Sequence, residues 1–245
     1  MTGSAAVTRV FLSAEWLNLV LLNYVVPPEL LAPFVPRGTE LDLWRGDAYV
    51  SVVGFMFANT RVLGVPIPFH RTFEEVNLRF YVKRTAGGEE RRAVTFIREL
   101  VPRAAIAITA RMTYNEPYRH LPMSHRLEPN DSRPTRAEYC WNDDGRSCGV
   151  VAEGIGALTV PSANSEEAFM TQRHWGYTPQ RDGSTVEYHV AHPLWNVGRI
   201  ELGKLVGDTS RLFGGDFAAI LARTPASALF ANGSALTVHK PVRLG

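Results

Sequence analysis

Residues 73–82 read FEEVNLRFYV, and past a TAGGEE segment at 85–90 residues 98–118 read RELVPRAAIAITARMTYNEPY. The first stretch alternates with a period of two. Glu74, Val76, Leu78, Phe80 and Val82 share one face of a strand, and Phe73, Glu75, Asn77, Arg79 and Tyr81 share the other. One face is core. The other is either wet, as half of an antiparallel sheet is, or the wall of a polar cavity in which aromatic residues bracket a Glu, Asn, Arg row. The TAGGEE turn predicts that residues 93–100 pair antiparallel with this strand.

In the second stretch Pro102 suits the first turn of a helix, and no Gly or Pro follows until Pro117, so a helix is expected from about Pro102 to Asn115. At about 100° per residue, Arg103, Ala107, Arg111, Tyr114 and Tyr118 fall within an arc of roughly 80°. A solvated face with Arg stems lying over apolar neighbours explains that stripe as readily as a ligand site does. A strand reading instead groups Arg111 with Thr109 and Thr113, against a shortage of β-branched residues.

FEEVNLRFYV, RELVPR, YNEPY (114–118) and WGYTPQRDGSTVEY (175–188) taken together resemble the bacterial family called domain of unknown function 2071, in the acetoacetate-decarboxylase-like superfamily. The resemblance runs over residues 11–242. It implies an α+β fold, a mostly antiparallel cone-like β-barrel with flanking helices, in which the Glu75 strand, the Arg103 helix and the Glu187 strand converge on a polar pocket. In the decarboxylases an aromatic-x-Glu-Val stretch carries a catalytic Glu, which lands on Glu75. An Arg-Glu-aliphatic run then leads through a Pro into two lysines, one of which forms a Schiff base with the substrate ketone. Here residues 98–104 read RELVPRA, which is two residues shorter before the Pro and has Arg103 but no lysine.

The rest of the chain sets bounds. With 245 residues, 45% hydrophobic and 20% charged, it is long enough for one large core, and one domain is expected over 9–245 after a disordered 1–8. A formal charge of +2, with basic residues dispersed, gives no field for nucleic acid. The apolar run at 16–26 is interrupted by Asn18 and Asn23 and is too short for a membrane span. Cys140 and Cys148 flank a turn-like Asn142-Asp143-Asp144-Gly145; a disulfide across a hairpin is conceivable, and without a secretory signal both are read as thiols in a reducing cytoplasm.

In chain order, Pro27-Pro28-Glu29 opens a short helix, and residues 41–43 and 48–57 read as a hairpin about Arg45-Gly46-Asp47. Residues 63–70, with Pro66 and Pro68, form a loop ending at His70. Residues 119–134, broken by Pro122, Pro129 and Pro134, are expected to be irregular, as a lid or a surface excursion. A hairpin over 136–160, a helix capped near Asn164-Ser165, a helix at 214–223 and a hairpin turn at Asn232-Gly233 follow.

Residues 185–191 alternate as a strand, with Thr185, Glu187 and His189 on one face and Val186, Tyr188 and Val190 on the other. Glu187 and His189 are either an acid-base pair or a hydrogen-bonded structural pair. His174, His189 and His192 lack helical ligand spacing, so no metal is expected. Trp175, Tyr177 and Trp195 line or plug the sheet interior.

Two functions fit these residues. The first is an enzyme acting on a small oxo or carboxylate metabolite without metal or organic cofactor, a lyase or hydratase. Arg103 or Arg111 clamps the carboxylate, Glu75 moves a proton, and Asn77, Arg79, Tyr114, Tyr118, Trp175, Tyr177, Glu187 and His189 line the site. The second is a non-catalytic binding protein on the same fold. Either takes a small-molecule partner and neither a nucleic acid nor a membrane; a homo-oligomer is compatible with both.

Overall fold

The computed structural model describes residues 9–66, 71–103, 115–129 and 134–244. Strands dominate, because β-branched and aromatic residues recur at a spacing of two between Gly, Pro and Asp turns. In chain order they are β1 (Val10–Val26), β2 (Glu40–Leu41), β3 (Ala48–Val62), β4 (Val65–Pro66), β5 (Phe73–Ala86), β6 (Glu89–Val101), β7 (Tyr118–His120) and β8 (Met123–Glu128). There follow β9 (Arg136–Asp143), β10 (Arg146–Ile155), β11 (Trp175–Pro179), β12 (Thr185–Ala191), β13 (Val197–Val206), β14 (Ser227–His239) and β15 (Val242–Leu244). Short helices at Pro28–Leu31, Glu166–Thr171, Ser210–Phe213 and Gly215–Leu221 flank the sheet. No helix among the described residues is long and apolar enough to cross a membrane.

The pairing order runs β12, β11, β6, β5, β3, β1, β14, and β14 returns to β12 through Val190↔Val238 and Ala191↔Thr237, which closes a ring of strands. Among the described residues only the β6–β11 contact within that ring is parallel. Beyond β14 the sheet continues through β13, β10, β9 and β8. This extension folds back over the outside of the ring, where Tyr139 and Trp141 of β9 pack in one cluster with Val76, Leu78 and Phe80. Inside the ring a second cluster joins Phe55, Phe57, Phe73, Tyr81 and Trp195. Both faces of β5 are therefore buried, and its period-two pattern separates an apolar outer face from a polar inner one.

The β5–β6 hairpin turns through Gly87 and Gly88, both at positive φ, as the TAGGEE segment predicts. Other expectations are corrected. β2 pairs not with β3 but with β5, through Leu41↔Val82, and the turn about Arg45-Gly46 is closed only by the Trp44↔Asp47 bridge. Residues 119–134 are largely ordered in β7 and β8, because Pro122 falls between strands and Pro129 after one, where no ladder N–H is required. Cys148 lies opposite Trp141 and Cys140 opposite Gly149, so the two thiols sit one register apart on opposite faces and are free. Of the helix expected over 102–115, residues 104–114 lie outside the described ones, and Pro102, Arg103 and Asn115 are not helical. His70 also lies outside them.

Asn232-Gly233 is not a turn: β14 runs straight through it. Gly233, at φ +80°, lies opposite Leu17, and a Cβ there would sit 1.9 Å from the Trp16 carbonyl oxygen. The glycine permits a close backbone approach on the ring. Gly233→Ala should therefore destabilise the fold by about 3 kcal/mol or more in urea denaturation, combining left-handed strain with overpacking. Gly38→Ala, also at positive φ but with open space around the added carbon, should cost only about 1–2 kcal/mol. Equal losses at the two positions would mean that the β1–β14 contact is looser than described.

Candidate functional site

The inner face of β5 carries Glu75, Asn77 and Arg79, exposed by only 2%, 2% and 6%. They form one wall of a cavity of about 340 Å³ inside the ring. Phe11, Trp16, Phe55, Phe57, Phe73, Phe96 and Trp195 make much of the remaining lining, so a short polar row faces an aromatic enclosure. Such a volume suits a small metabolite.

At one end of the row three carboxyl groups meet. Glu75 on β5, Glu99 on β6 and Glu116 just before β7 all line the cavity. The Tyr118 hydroxyl donates to Glu75 Oε2 at 3.2 Å and Asn77 Nδ2 donates to Glu75 Oε1 at 3.0 Å. Glu116 Oε1 accepts from the Thr178 hydroxyl at 2.5 Å and from Tyr188 at 3.1 Å. Asn115, at φ 57°, donates to the Pro179 carbonyl, and Glu99 N–H to the Pro117 carbonyl, which pins the Glu116 segment between β6 and β11.

Burial dominates the ionisation of this cluster. It pushes the Glu75 carboxyl up to about 7, against the hydrogen bonds from Asn77 and Tyr118. Glu99 is raised well above its ordinary range by burial and then by the charges of Glu116 and Glu75. Glu116 is raised by burial although Thr178, Glu99 and Tyr188 bond to it. Neighbouring carboxyls in a dry site share protons instead of all ionising.

At the other end stand two guanidiniums. Arg79 Nη2 donates to the Met170 carbonyl at 3.0 Å, and Arg173, from the segment after helix Glu166–Thr171, also lines the cavity. Arg173 stacks 4.1 Å from the Phe169 ring centre, donates through Nε to the Phe169 carbonyl, and pairs through Nη1 with Asp42. Asp42 is held in turn by Arg92 at 2.9 Å. Burial raises the Asp42 carboxyl, but Arg173 and Arg92 outweigh it and hold the group below its ordinary value. Burial lowers Arg173 to about 10, so it is charged at neutral pH. Arg79 Nε and Arg173 Nη2 are buried N–H groups without a hydrogen-bond partner among the described residues.

Glu75, Asn77, Arg79, Tyr118 and Trp175 of the expected site residues thus lie on the cavity wall. Arg103 does not: it is exposed just past the end of β6. Arg111 and Tyr114 lie outside the described residues. Tyr177 and Glu187 are buried away from the cavity, where Tyr177 donates to Glu187 at 2.7 Å and Arg91 and Arg84 pair with the same carboxylate. His189 packs between Trp175 and His239 without lining the cavity. On β12 it is the other face, Tyr188 and Val190, that points inward. Gly176 makes room for Tyr188, since a Cβ there would lie 2.2 Å from the ring.

Glu99, Glu116, Arg173, Thr178 and Tyr188 are not among the site residues expected from sequence. Glu99 lies within RELVPR, but a bulge hides it. Arg79 pairs with Phe96 whereas Asn77 pairs with Glu99, so β6 turns Val94 and Phe96 inward, slips by one residue, and then turns Glu99 inward.

Raised carboxyl groups make stability depend on pH. Between the ordinary value of 4.5 and about 7 the unfolded chain ionises Glu75 while the folded chain keeps its proton, so stability falls across that window and levels off above it. The unfolding free energy of the protein should drop between about pH 4.5 and 7, by at most on the order of 3 kcal/mol from this group. Glu75→Gln should flatten the slope in urea titrations, whereas a stability that rises over this range in both proteins would show that the cluster is ionised in the fold.

The sequence pattern of the domain of unknown function 2071 family, described as an uncharacterized conserved protein, matches residues 13–235. Uncharacterized protein YqjF of Bacillus subtilis (strain 168) is 27% identical over 179 residues, which cover 73% of this chain and 72% of that one. Among solved structures, the enduracididine biosynthesis enzyme MppR complexed with pyruvate aligns with a TM-score of 0.68 at 16% identity, over 99% of this chain and 93% of that one. The acetoacetate decarboxylase of Legionella pneumophila subsp. pneumophila str. Philadelphia 1 aligns with a TM-score of 0.70 at 10% identity, over 100% and 92%. These structures share the fold, a mostly-sheet architecture of the acetoacetate-decarboxylase-like kind with few helices. With the family pattern spanning nearly the whole described ring, the chain belongs to the domain of unknown function 2071 family.

Proposed function

We propose that the strand ring is a cone-like β-barrel whose cavity binds a small oxo or carboxylate metabolite, and that the protein is a cofactor-free lyase or hydratase. The observation that carries this reading is the presence, in one cavity, of unpaired guanidinium N–H groups on Arg79 and Arg173 together with a Glu75 carboxyl that burial pushes up to about 7. A carboxylate fits the planar donors of the two arginines, and a group titrating near neutrality both accepts and donates protons well. With the ligand carboxylate on the arginines, Glu75 takes a proton from the carbon beside its carbonyl or carboxyl group. In a dehydration the C–H electron pair forms the new C=C bond, and the neighbouring C–O bond breaks. A protonated neighbour, Glu99 or Glu116, gives its proton to the departing hydroxyl, which leaves as water. The fold neighbour complexed with pyruvate, a small 2-oxo acid, is consistent with this ligand class.

One feature favours the non-catalytic reading. None of the three lysines, Lys83, Lys204 and Lys240, lines the cavity, and Lys83 is engaged with Glu40 and Glu90. A binding protein that kept the pocket without the amine fits that residue set.

The clamp is tested by titrating short oxo and hydroxy acids against variants. Arg79→Ala should weaken binding about tenfold or more, and Arg79→Lys should restore it only in part, since a point charge lacks the planar pair of donors. Equal affinity in all three proteins would remove the clamp. Each binder is then followed by NMR: turnover supports the enzyme, and binding without turnover supports the second reading. Incubation with acetoacetate and borohydride should leave the intact mass unchanged, and a stoichiometric adduct on Lys204 or Lys240 would restore amine chemistry.

A further inference from the structure

The acidic end of the cavity asks for something that the arginine end does not supply. Asn77 Oδ1 and Glu99 Oε2 are both buried acceptors without a partner among the described residues, on side chains that are each 2% exposed. They are also neighbours, because Asn77 and Glu99 are directly opposed across β5 and β6. The orientation of Asn77 follows from its contact. Its Nδ2 donates to Glu75, so its oxygen is the atom left over. The Tyr118 hydroxyl goes to Glu75, with Glu99 also within its reach, and the Tyr188 hydroxyl to Glu116, yet Asn77 Oδ1 and Glu99 Oε2 meet no hydrogen-bond partner among the described residues. Unmet acceptors in a buried site call for a donor from the ligand.

We propose that this end of the cavity, Asn77 with Glu99 and Glu116, is a subsite for a cationic nitrogen of the ligand, a protonated amine or an amidinium. This rests on the reading of the cavity as a small-molecule site and adds to it a second recognition element. The substrate would then be bipolar, its carboxylate on Arg79 and Arg173 and its cation among the carboxyl groups. A cation supplies several N–H donors and the positive charge that three clustered carboxyl groups lack, and the aromatic lining around it disfavours hydrated competitors.

The groups facing the subsite are Glu75 and Arg79 from β5, Glu99 from β6, Glu116 and Tyr118 from the segment entering β7, and Tyr188 from β12. Without a cation, burial shifts all three carboxyl groups toward their protonated forms. A bound cation favours their ionised forms, so binding releases protons and tightens as pH rises through about 7.

The test uses ligands of one chain length: hexylamine carries the cation alone, hexanoate the carboxylate alone, 6-aminohexanoate both, and hexanol neither. Calorimetry on the full chain should show hexylamine binding at least tenfold more tightly than hexanol, and 6-aminohexanoate more tightly than either single-ended ligand. Hexylamine should bind about tenfold better at pH 8.5 than at pH 6, with net proton release seen by comparing two buffers of different ionisation enthalpy. Glu99→Gln should reduce both that proton release and the hexylamine affinity without changing hexanoate affinity. Hexylamine binding no better than hexanol, or without proton release, would overturn the subsite. Hexanoate binding in that case would leave the carboxylate reading intact, whereas hexylamine binding without hexanoate binding would keep the subsite and remove the clamp.

Discussion

A charged row buried on the inner face of β5 is the constraint to which the surrounding structure answers. Removing Glu75 and Arg79 from water costs several kcal/mol each unless every charge is paired, hydrogen-bonded or neutralised. The fold meets that cost in a different way at each end. At the acidic end, protons shared among Glu75, Glu99 and Glu116 lower the net charge, and Tyr118, Tyr188, Thr178 and Asn77 supply donors. At the basic end a guanidinium cannot discharge, so a carboxylate is brought to it: Asp42 sits between Arg173 and Arg92. That requirement explains why β2, only two residues long, pairs at the edge of β5 rather than with β3. The Asp42 N–H bonds the Tyr81 carbonyl at 3.0 Å, which delivers its side chain to the arginines.

The floor beneath the arginines is fixed by a second buried chain. Both guanidiniums lie over the Tyr81 ring, at 5.8 Å for Arg79 and 4.8 Å for Arg173. The Tyr81 hydroxyl meets Ser51 at 2.5 Å, Ser51 donates to Asn23, Asn23 to the Ser227 hydroxyl, and Ser227 to Glu166. These links tie β5, β3, β1, β14 and the helix that precedes Arg173, which is most of the ring. A fully satisfied polar chain in a low-dielectric interior resists rearrangement, because breaking one link strands its neighbours. The arginines therefore rest on a surface whose geometry is set by groups from five separate elements.

Local alternation made much of this legible. The period of two in FEEVNLRFYV placed Glu75, Asn77 and Arg79 together on one face, and the Gly-rich turn after it fixed the β5–β6 pairing. One failure came where a single residue changed the parity of a strand, and the others where the deciding contact lay elsewhere in the chain. The bulge in β6 brings Glu99 round to the Phe96 face, and no regular pattern carries that signal. On β12 the alternation itself was read correctly, but which face points inward is decided by Gly176 on the neighbouring strand, whose missing side chain admits Tyr188. Arg173 and Asp42 meet across 131 residues of chain, a contact that no local spacing encodes. Asn232-Gly233 has the composition of a hairpin turn, yet the backbone freedom of Gly233 serves a close strand approach inside a continuous β14.

The cavity's electrostatics also bear on the missing lysine. A lysine becomes a nucleophile only when its amine is neutral near pH 7, which requires burial or a neighbouring cation to lower its pKa. The acidic end of this cavity would act in the opposite direction. Three carboxyl groups around an ammonium would stabilise the charged form and keep the nitrogen protonated. The same surroundings raise the affinity of each carboxyl for its own proton, chiefly through burial, which suits proton transfer and recognition of a cation. Restoring a lysine at position 103, exposed beyond the end of β6, would thus not restore amine catalysis, because the position lies off the cavity wall. The residues that line the cavity form a set consistent with acid-base chemistry or binding, and no lysine is among the described residues of that lining.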